Sequence, residues 1–148
     1  VKNWEKWLQT LSILNTWKPG IRAALIGEGP LRKRLEQQAA AHGLNGQVQF
    51  RGGLDRPEVL AWMQTARVLL HTSSYESFGF VLPEAAQNGC RLVSTPVGIG
   101  PDMAACADTP EQLARLVLEA LQKPLNMKPV VPYDIEKAAD AYQRLFWK

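Results

Sequence analysis

Short apolar runs and longer amphipathic stretches alternate along this chain, and each is closed off by residues that interrupt regular structure. IRAALIG (21–27), QVQF (47–50), RVLLHTS (67–73) and RLVSTP (91–96) read as strands, being short, rich in branched apolar residues and bounded by Gly, Pro or polar groups. Between them LRKRLEQQAAAHG (31–43), DRPEVLAWMQTA (55–66) and FVLPEAAQNG (80–89) read as helices, with Asp55 as an N-cap and Gly43 as a C-terminal cap. A first helix runs from about Asn3 to Leu14, where Trp4, Trp7, Leu8, Leu11 and Leu14 recur at helical spacing. TPEQLARLVLEALQ (109–122) is a late helix with Thr109 as cap and Pro110 at its first position. KPLNMKPVVP (123–132) reads as a linker and YDIEKAADAYQRLFWK (133–148) as a closing helix. Such alternation demands parallel strands covered by helices on both faces. The expected fold is therefore α/β, a Rossmann-like doubly wound parallel sheet.

The 148 residues fit one domain. The longest apolar runs are far too short to cross a bilayer. A net charge of +3, scattered along the chain, argues against nucleic acid as the main partner and is compatible with an anionic small molecule. Cys90 and Cys106 lack metal-ligand spacing and read as reduced thiols of a cytosolic protein, with no metal site expected. The start at Val1-Lys2-Asn3, without an initiator Met, leads us to expect a piece of something longer.

Ligands of such sheets bind beyond the carboxyl ends of the strands, where GEGP, RGGLD, TSSYESFG and TPVGIGPD all fall. GEGP alone is a weak dinucleotide fingerprint, because Arg32 takes the third glycine position, and no P-loop occurs. ESFGFVLPE (76–84) is more informative. A helix starting near Gly79 offers backbone N–H groups and a positive dipole end to a phosphate. Glu84, a little over a turn in and on one face with Phe80, is placed to accept from a ribose diol, and Glu76 lies on the other side of the phosphates. Two carboxylates with no His or Asp nearby fit a metal worse. The competing interpretation is a plain strand-to-helix turn with one solvated and one helix-surface Glu.

Arg51 to Leu54 would border a nucleobase. His71, at the end of a strand, is either packed in the interior or touches a sugar. Arg32-Lys33-Arg34 reads as a solvated helix face, and Trp4, Trp7 and Trp62 as core residues. Phe146 and Trp147 are large aromatics on the closing helix.

The stretch from Glu76 to Glu84 resembles the E-x7-E signature of the retaining group 1 glycosyltransferases (family 4), which have the GT-B architecture of two Rossmann-like domains. LIGEGPLRKRLE resembles the glycine loop and following helix of that family, the block from VQFRGGLD through VGIGPD its central part, and YDIEKAADAYQRLF its closing helix. The resemblance covers nearly the whole chain. It implies that residues 1–148 are the nucleotide-sugar-binding domain and that an N-terminal acceptor domain is absent. It implies transfer of a hexosyl group from a nucleoside diphosphate sugar to a glycan or lipid-linked acceptor, with no metal cofactor. Glu76 would stabilise positive charge at the anomeric carbon of the transferred sugar, and Lys2 would neutralise the diphosphate leaving group. Glu84 would hold the ribose, while Gly79, Phe80 and Val81 offer backbone contacts to phosphate, with Gly27, Gly29 and Arg51 completing the donor site. The setting it implies is cytoplasmic, at the inner face of the membrane, with peripheral association through the absent domain, in cell-envelope polysaccharide assembly. Two departures from the family are visible. The strand expected before Lys2 is missing, which should leave a gap in the sheet, and MAACAD (103–108) stands where a glycine turn and a last strand are usual. The alternatives are a non-catalytic nucleotide-binding module of the same fold, or a flavodoxin-like regulator, for which no acidic phosphoacceptor stands out.

Overall fold

The computed structural model describes residues 1–124. The expected closing helix, with Phe146 and Trp147, and most of the linker lie outside the described residues. Within them the elements run α1 (Trp4–Trp17), β1 (Ala23–Ile26), α2 (Arg32–Ala41), β2 (Val48–Gly52), α3 (Arg56–Thr65), β3 (Val68–His71), α4 (Val81–Gln87), β4 (Arg91–Ser94), α5 (Gly100–Met103), β5 (Ala105–Cys106) and α6 (Pro110–Gln122). All strand pairs are parallel, as the alternation requires. They form two groups, β1 with β2, and β3 with β4 and β5. Among the described residues no strand of the first group is hydrogen-bonded to a strand of the second. The last strand, which MAACAD put in question, is present but only two residues long.

Local chemistry explains where the helices begin. Asp55 accepts from the Glu58 N–H at 2.9 Å, and the Glu58 carboxylate reaches back to the Asp55 N–H at 3.0 Å, a complete capping box. Thr109 caps α6 by accepting from the Gln112 N–H, with Pro110 in the first turn. Asn3 caps α1 from a left-handed backbone conformation that asparagine tolerates better than most residues.

The helical spacing in α1 places Trp7, Leu8, Leu11 and Leu14 on one buried face, against Leu113, Ala114 and Val117 of α6 and Val93 of β4. This core lies beneath both strand groups. A second, smaller cluster joins α3 to α4 through Val59, Leu60, Met63, Val81, Ala85 and Cys90. The two cysteines are free thiols. No helix among the described residues is long and apolar enough to cross a membrane.

Candidate functional site

The three residues before α1 run alongside the segment that follows β3. The Val1 carbonyl accepts from the Ser74 N–H at 2.8 Å and from its hydroxyl, while the Thr72 hydroxyl reaches the carbonyls of Lys2 and Asn3. That pairing brings together side chains 74 positions apart: the Lys2 ammonium donates to Glu76 Oε1 at 2.5 Å. The same oxygen accepts from the Ser73 hydroxyl at 2.9 Å and lies 3.2 Å from His71 Nε2. The hydrogen bond from Lys2 is the main reason that the Glu76 carboxyl is held down to about 2, helped by Ser73 and His71 against the opposing cost of burial. Glu76 is therefore a carboxylate at any physiological pH.

His71 is buried, and its position follows from strand register, since it pairs with Ser94 across β3 and β4. Its Nδ1 lies 3.1 Å from the Ser94 hydroxyl. That hydroxyl gives its proton to the Thr95 carbonyl at 2.7 Å, so Nδ1–H is the donor to Ser94 Oγ. Nε2 then faces Ser73 Oγ and Glu76. With the ring neutral, Nε2 and Glu76 Oε1 compete for the single Ser73 hydroxyl proton; a protonated ring donates to Glu76 and leaves the Ser73 proton to the carboxylate. Burial lowers the pKa of His71 below its ordinary 6.5, opposed by the hydrogen bond and charge of Glu76. His71 is thus packed in the interior, with its Nε2 edge against Glu76.

The loop after β4 braces this cluster. Ser73 O accepts from the Thr95 hydroxyl at 2.6 Å, and Phe78 O accepts from the Ile99 N–H at 2.7 Å. The chain passes so close to Phe78 because position 98 is glycine, at φ +55°; a Cβ there would overlap the Phe78 carbonyl group, 2.8 Å from its carbon.

The second carboxylate is held separately. α4 begins at Val81, two residues later than a start at Gly79 and one later than FVLPEAAQNG suggests, and it ends at Gln87. Gly79 itself is a turn residue at φ +93°, a conformation that a side chain strains. Phe80 is largely exposed, with its ring 4.6 Å from that of Phe78. Glu84, in the first turn, pairs with Arg56 at 2.8 Å.

The loops after β1 and β2 lie against each other. The Gly27 N–H donates to Gly52 O at 2.7 Å, Gly29 accepts from the Arg32 N–H, and the Glu28 side chain packs over Gly52 and Gly53. Arg51 leans on the Trp62 ring, 4.8 Å from its centroid, and donates to Gln49. Trp62, expected in the core, is thus a platform for an arginine. Arg32, Lys33 and Arg34 are exposed as expected, although Arg32 also bonds Glu36 and the Phe50 carbonyl. A cleft of about 410 Å³ lies between residues 1–5 and Leu31 with Arg34, Leu35 and Gln38 of α2. Among the described residues no three His, Cys, Asp or Glu side chains converge as metal ligands do.

The structure therefore assembles Lys2 with Glu76, and adds His71, Ser73 and Ser94 to them. Sequence reasoning missed Ser73, Ser94 and Arg56. Ser73 stands three residues before Glu76, a spacing suited to a local hydrogen bond, whereas the other two arrive through strand register and helix docking.

The sequence matches the family described as Glycosyl transferases group 1 over residues 1–133. It is 30% identical over 119 residues to a phosphatidylinositol N-acetylglucosaminyltransferase chain of Arabidopsis thaliana, covering 76% of this chain and 26% of that protein. It is 35% identical over 91 residues to a glycogen synthase of Mycobacterium tuberculosis, covering 62% of this chain and 22% of the relative. The chain thus spans about a quarter of the length of these relatives. Its fold superposes with a TM-score of 0.70 on Anabaena HepE solved with UDP and glucose, at 22% identity, over 82% of this chain and 36% of the other. With the family match running across nearly all of the sequence, and with parallel strands arranged as in a GT-B glycosyltransferase, this chain belongs to the group 1 glycosyl transferases.

Proposed function

We propose that this chain is the donor-binding half of a retaining glycosyltransferase, which transfers a hexosyl group from a nucleoside diphosphate sugar to a glycan or lipid-linked acceptor. The observation that carries this reading is the Lys2–Glu76 pair, a cation and a permanently ionised carboxylate held together at the loop edge of a parallel sheet. In the donor complex the Lys2 ammonium turns toward the diphosphate, where negative charge grows as the glycosidic bond breaks. The freed Glu76 carboxylate faces the sugar, accepting from its hydroxyls and stabilising positive charge at the anomeric carbon. Ser73 and His71 keep that carboxylate in place. The N–H groups of Phe80 and Val81, ahead of the first intrahelical bonds of α4, meet a phosphate, aided by the turn at Gly79. Glu84 holds the ribose, and Gly27, Gly29 and Arg51 border the base side of the donor. No metal takes part in this scheme, since Lys2 and backbone N–H groups supply the positive field. The acceptor sits on an N-terminal domain, and the reaction runs on the cytoplasmic side, at the inner face of a membrane, in envelope polysaccharide assembly.

Support for a nucleotide sugar comes from HepE, which was solved with UDP and glucose. The direct test is calorimetric titration of the protein with UDP, GDP and ADP and with their glucose conjugates, for wild type, Glu84→Ala and Glu76→Ala. We expect one base to bind, with Glu84→Ala weakening the free diphosphate and Glu76→Ala weakening mainly the glucose form. Absence of binding to all six, or variants that behave like wild type, would remove the two acids from the donor site.

A further inference from the structure

We propose that Arg56 is a positioning residue which sets the preference for a ribose over a deoxyribose, by holding the Glu84 carboxylate in the orientation that accepts from the sugar diol. This inference rests on the assignment of Glu84 to the ribose. Arg56 is the first residue of α3, directly after the Asp55 cap, and the capping box with Glu58 and the neighbouring Pro57 fix its backbone. α3 in turn is docked on α4 by the cluster of Val59, Leu60 and Met63 with Val81, Ala85 and Cys90, and at the far end by Gln64 bonded to Asn88. The start of one helix is thus held against the first turn of the other.

The ion pair that results is asymmetric. Glu84 is 27% exposed and Arg56 78% exposed, so the carboxylate is tucked in while its partner stands in water. Pairs of this kind add little to stability. The bond engages Oε1 through a single Arg56 nitrogen. A carboxylate has about four lone-pair sites, so one such bond leaves Oε2 and part of Oε1 for two further donors. What the bond removes is rotamer freedom. An unpaired Glu on a helix surface must be ordered when a ligand binds, whereas a paired one is ordered beforehand, and that difference appears as affinity for whatever the carboxylate contacts. If the contact is the 2′- and 3′-hydroxyls, the gain is larger for ribonucleotides, because a 2′-deoxy sugar offers only the 3′-hydroxyl.

The test compares UDP with 2′-deoxy-UDP, and likewise the guanine and adenine pairs, by titration against wild type, Arg56→Ala and Arg56→Lys. We expect wild type to prefer the ribo form. Arg56→Ala should weaken the ribo form by about two- to fivefold and the 2′-deoxy form by less, so that the ribo preference shrinks. Arg56→Lys should recover part of the loss. A ribo preference that survives intact in Arg56→Ala overturns the proposal, as does tighter ribonucleotide binding in that variant, which would make Arg56 a competitor for Glu84. A wild type that binds both forms equally overturns the ribose assignment of Glu84 itself, a failure distinct from that of Arg56.

Discussion

Replacing Gly98 by Ala separates backbone strain from steric conflict at the loop that braces Glu76. Gly98 sits at φ +55°, where a Cβ costs about 1–2 kcal/mol by itself. Gly46, at φ +71° with open space around it, carries the same strain and nothing more. A Cβ at position 98 also overlaps the Phe78 carbonyl and comes within 3.1 Å of Glu76 Cβ. Relief requires the loop to move away, loosening the bond from the Ile99 N–H to Phe78 O, 2.7 Å long in the native chain. Overpacking of this kind costs about 1–3 kcal/mol and a disturbed hydrogen bond about 1 kcal/mol more. The loss of unfolded-chain freedom on going from Gly to Ala favours both variants alike and cancels between them. Gly98→Ala should therefore be less stable than Gly46→Ala by about 2–4 kcal/mol, in urea unfolding followed by tryptophan fluorescence. A difference below about 0.5 kcal/mol would refute the steric argument, and with it the claim that close packing of these loops positions Glu76.

Acid should weaken the fold in two windows, readable from urea midpoints against pH. The folded His71 binds its proton less readily than the unfolded one, so stability is lost as pH falls below about 6.5. Glu76, held at about 2 against an ordinary 4.5, adds a second loss as pH falls from about 4.5 toward 2, worth about 1–2 kcal/mol once its half-exposed partner Lys2 is allowed for. A profile flat down to pH 3 would contradict both. In Glu76→Gln the His71 pKa should fall further, because the carboxylate is what raises it, and imidazole NMR shifts against pH report this directly; a rise would reverse the assigned electrostatics. Burial pushes the Cys90 thiol up to about 11, so a thiol reagent at pH 8 should label it slowly in the native protein and fast in urea. Equal rates would mean that the contact between α3 and α4 opens freely.

The elements could be read from the sequence wherever a local rule fixes them. Leu8, Leu11 and Leu14 announce α1 by spacing alone, and Asp55 and Thr109 mark the starts of α3 and α6 by side-chain chemistry that acts over three residues. β5 had no such signal, because two residues show no periodicity and the strand exists only through its pairing with Val93 and Ser94. Glu76, Glu84 and Lys2 stood out through a motif; their partners did not. His71 meets Ser94 through the register of β3 and β4, and Arg56 meets Glu84 through the docking of two helices, and neither relation leaves a trace in a local pattern. Trp62 was misjudged for the same reason, since helical spacing does not reveal that Arg51 arrives from β2 to cover it.

The contact between Lys2 and Glu76 spans 74 positions, and it is held by the pairing of residues 1–3 with 72–74 rather than by any local element. A chain that has formed its helices but not yet laid residues 1–3 along 72–74 leaves the acid without its cation. Closing a loop of that length costs entropy that the tertiary packing must repay. The site thereby acts as a completion signal: a half-made molecule, however much secondary structure it holds, cannot present the cation and the acid together to a ligand.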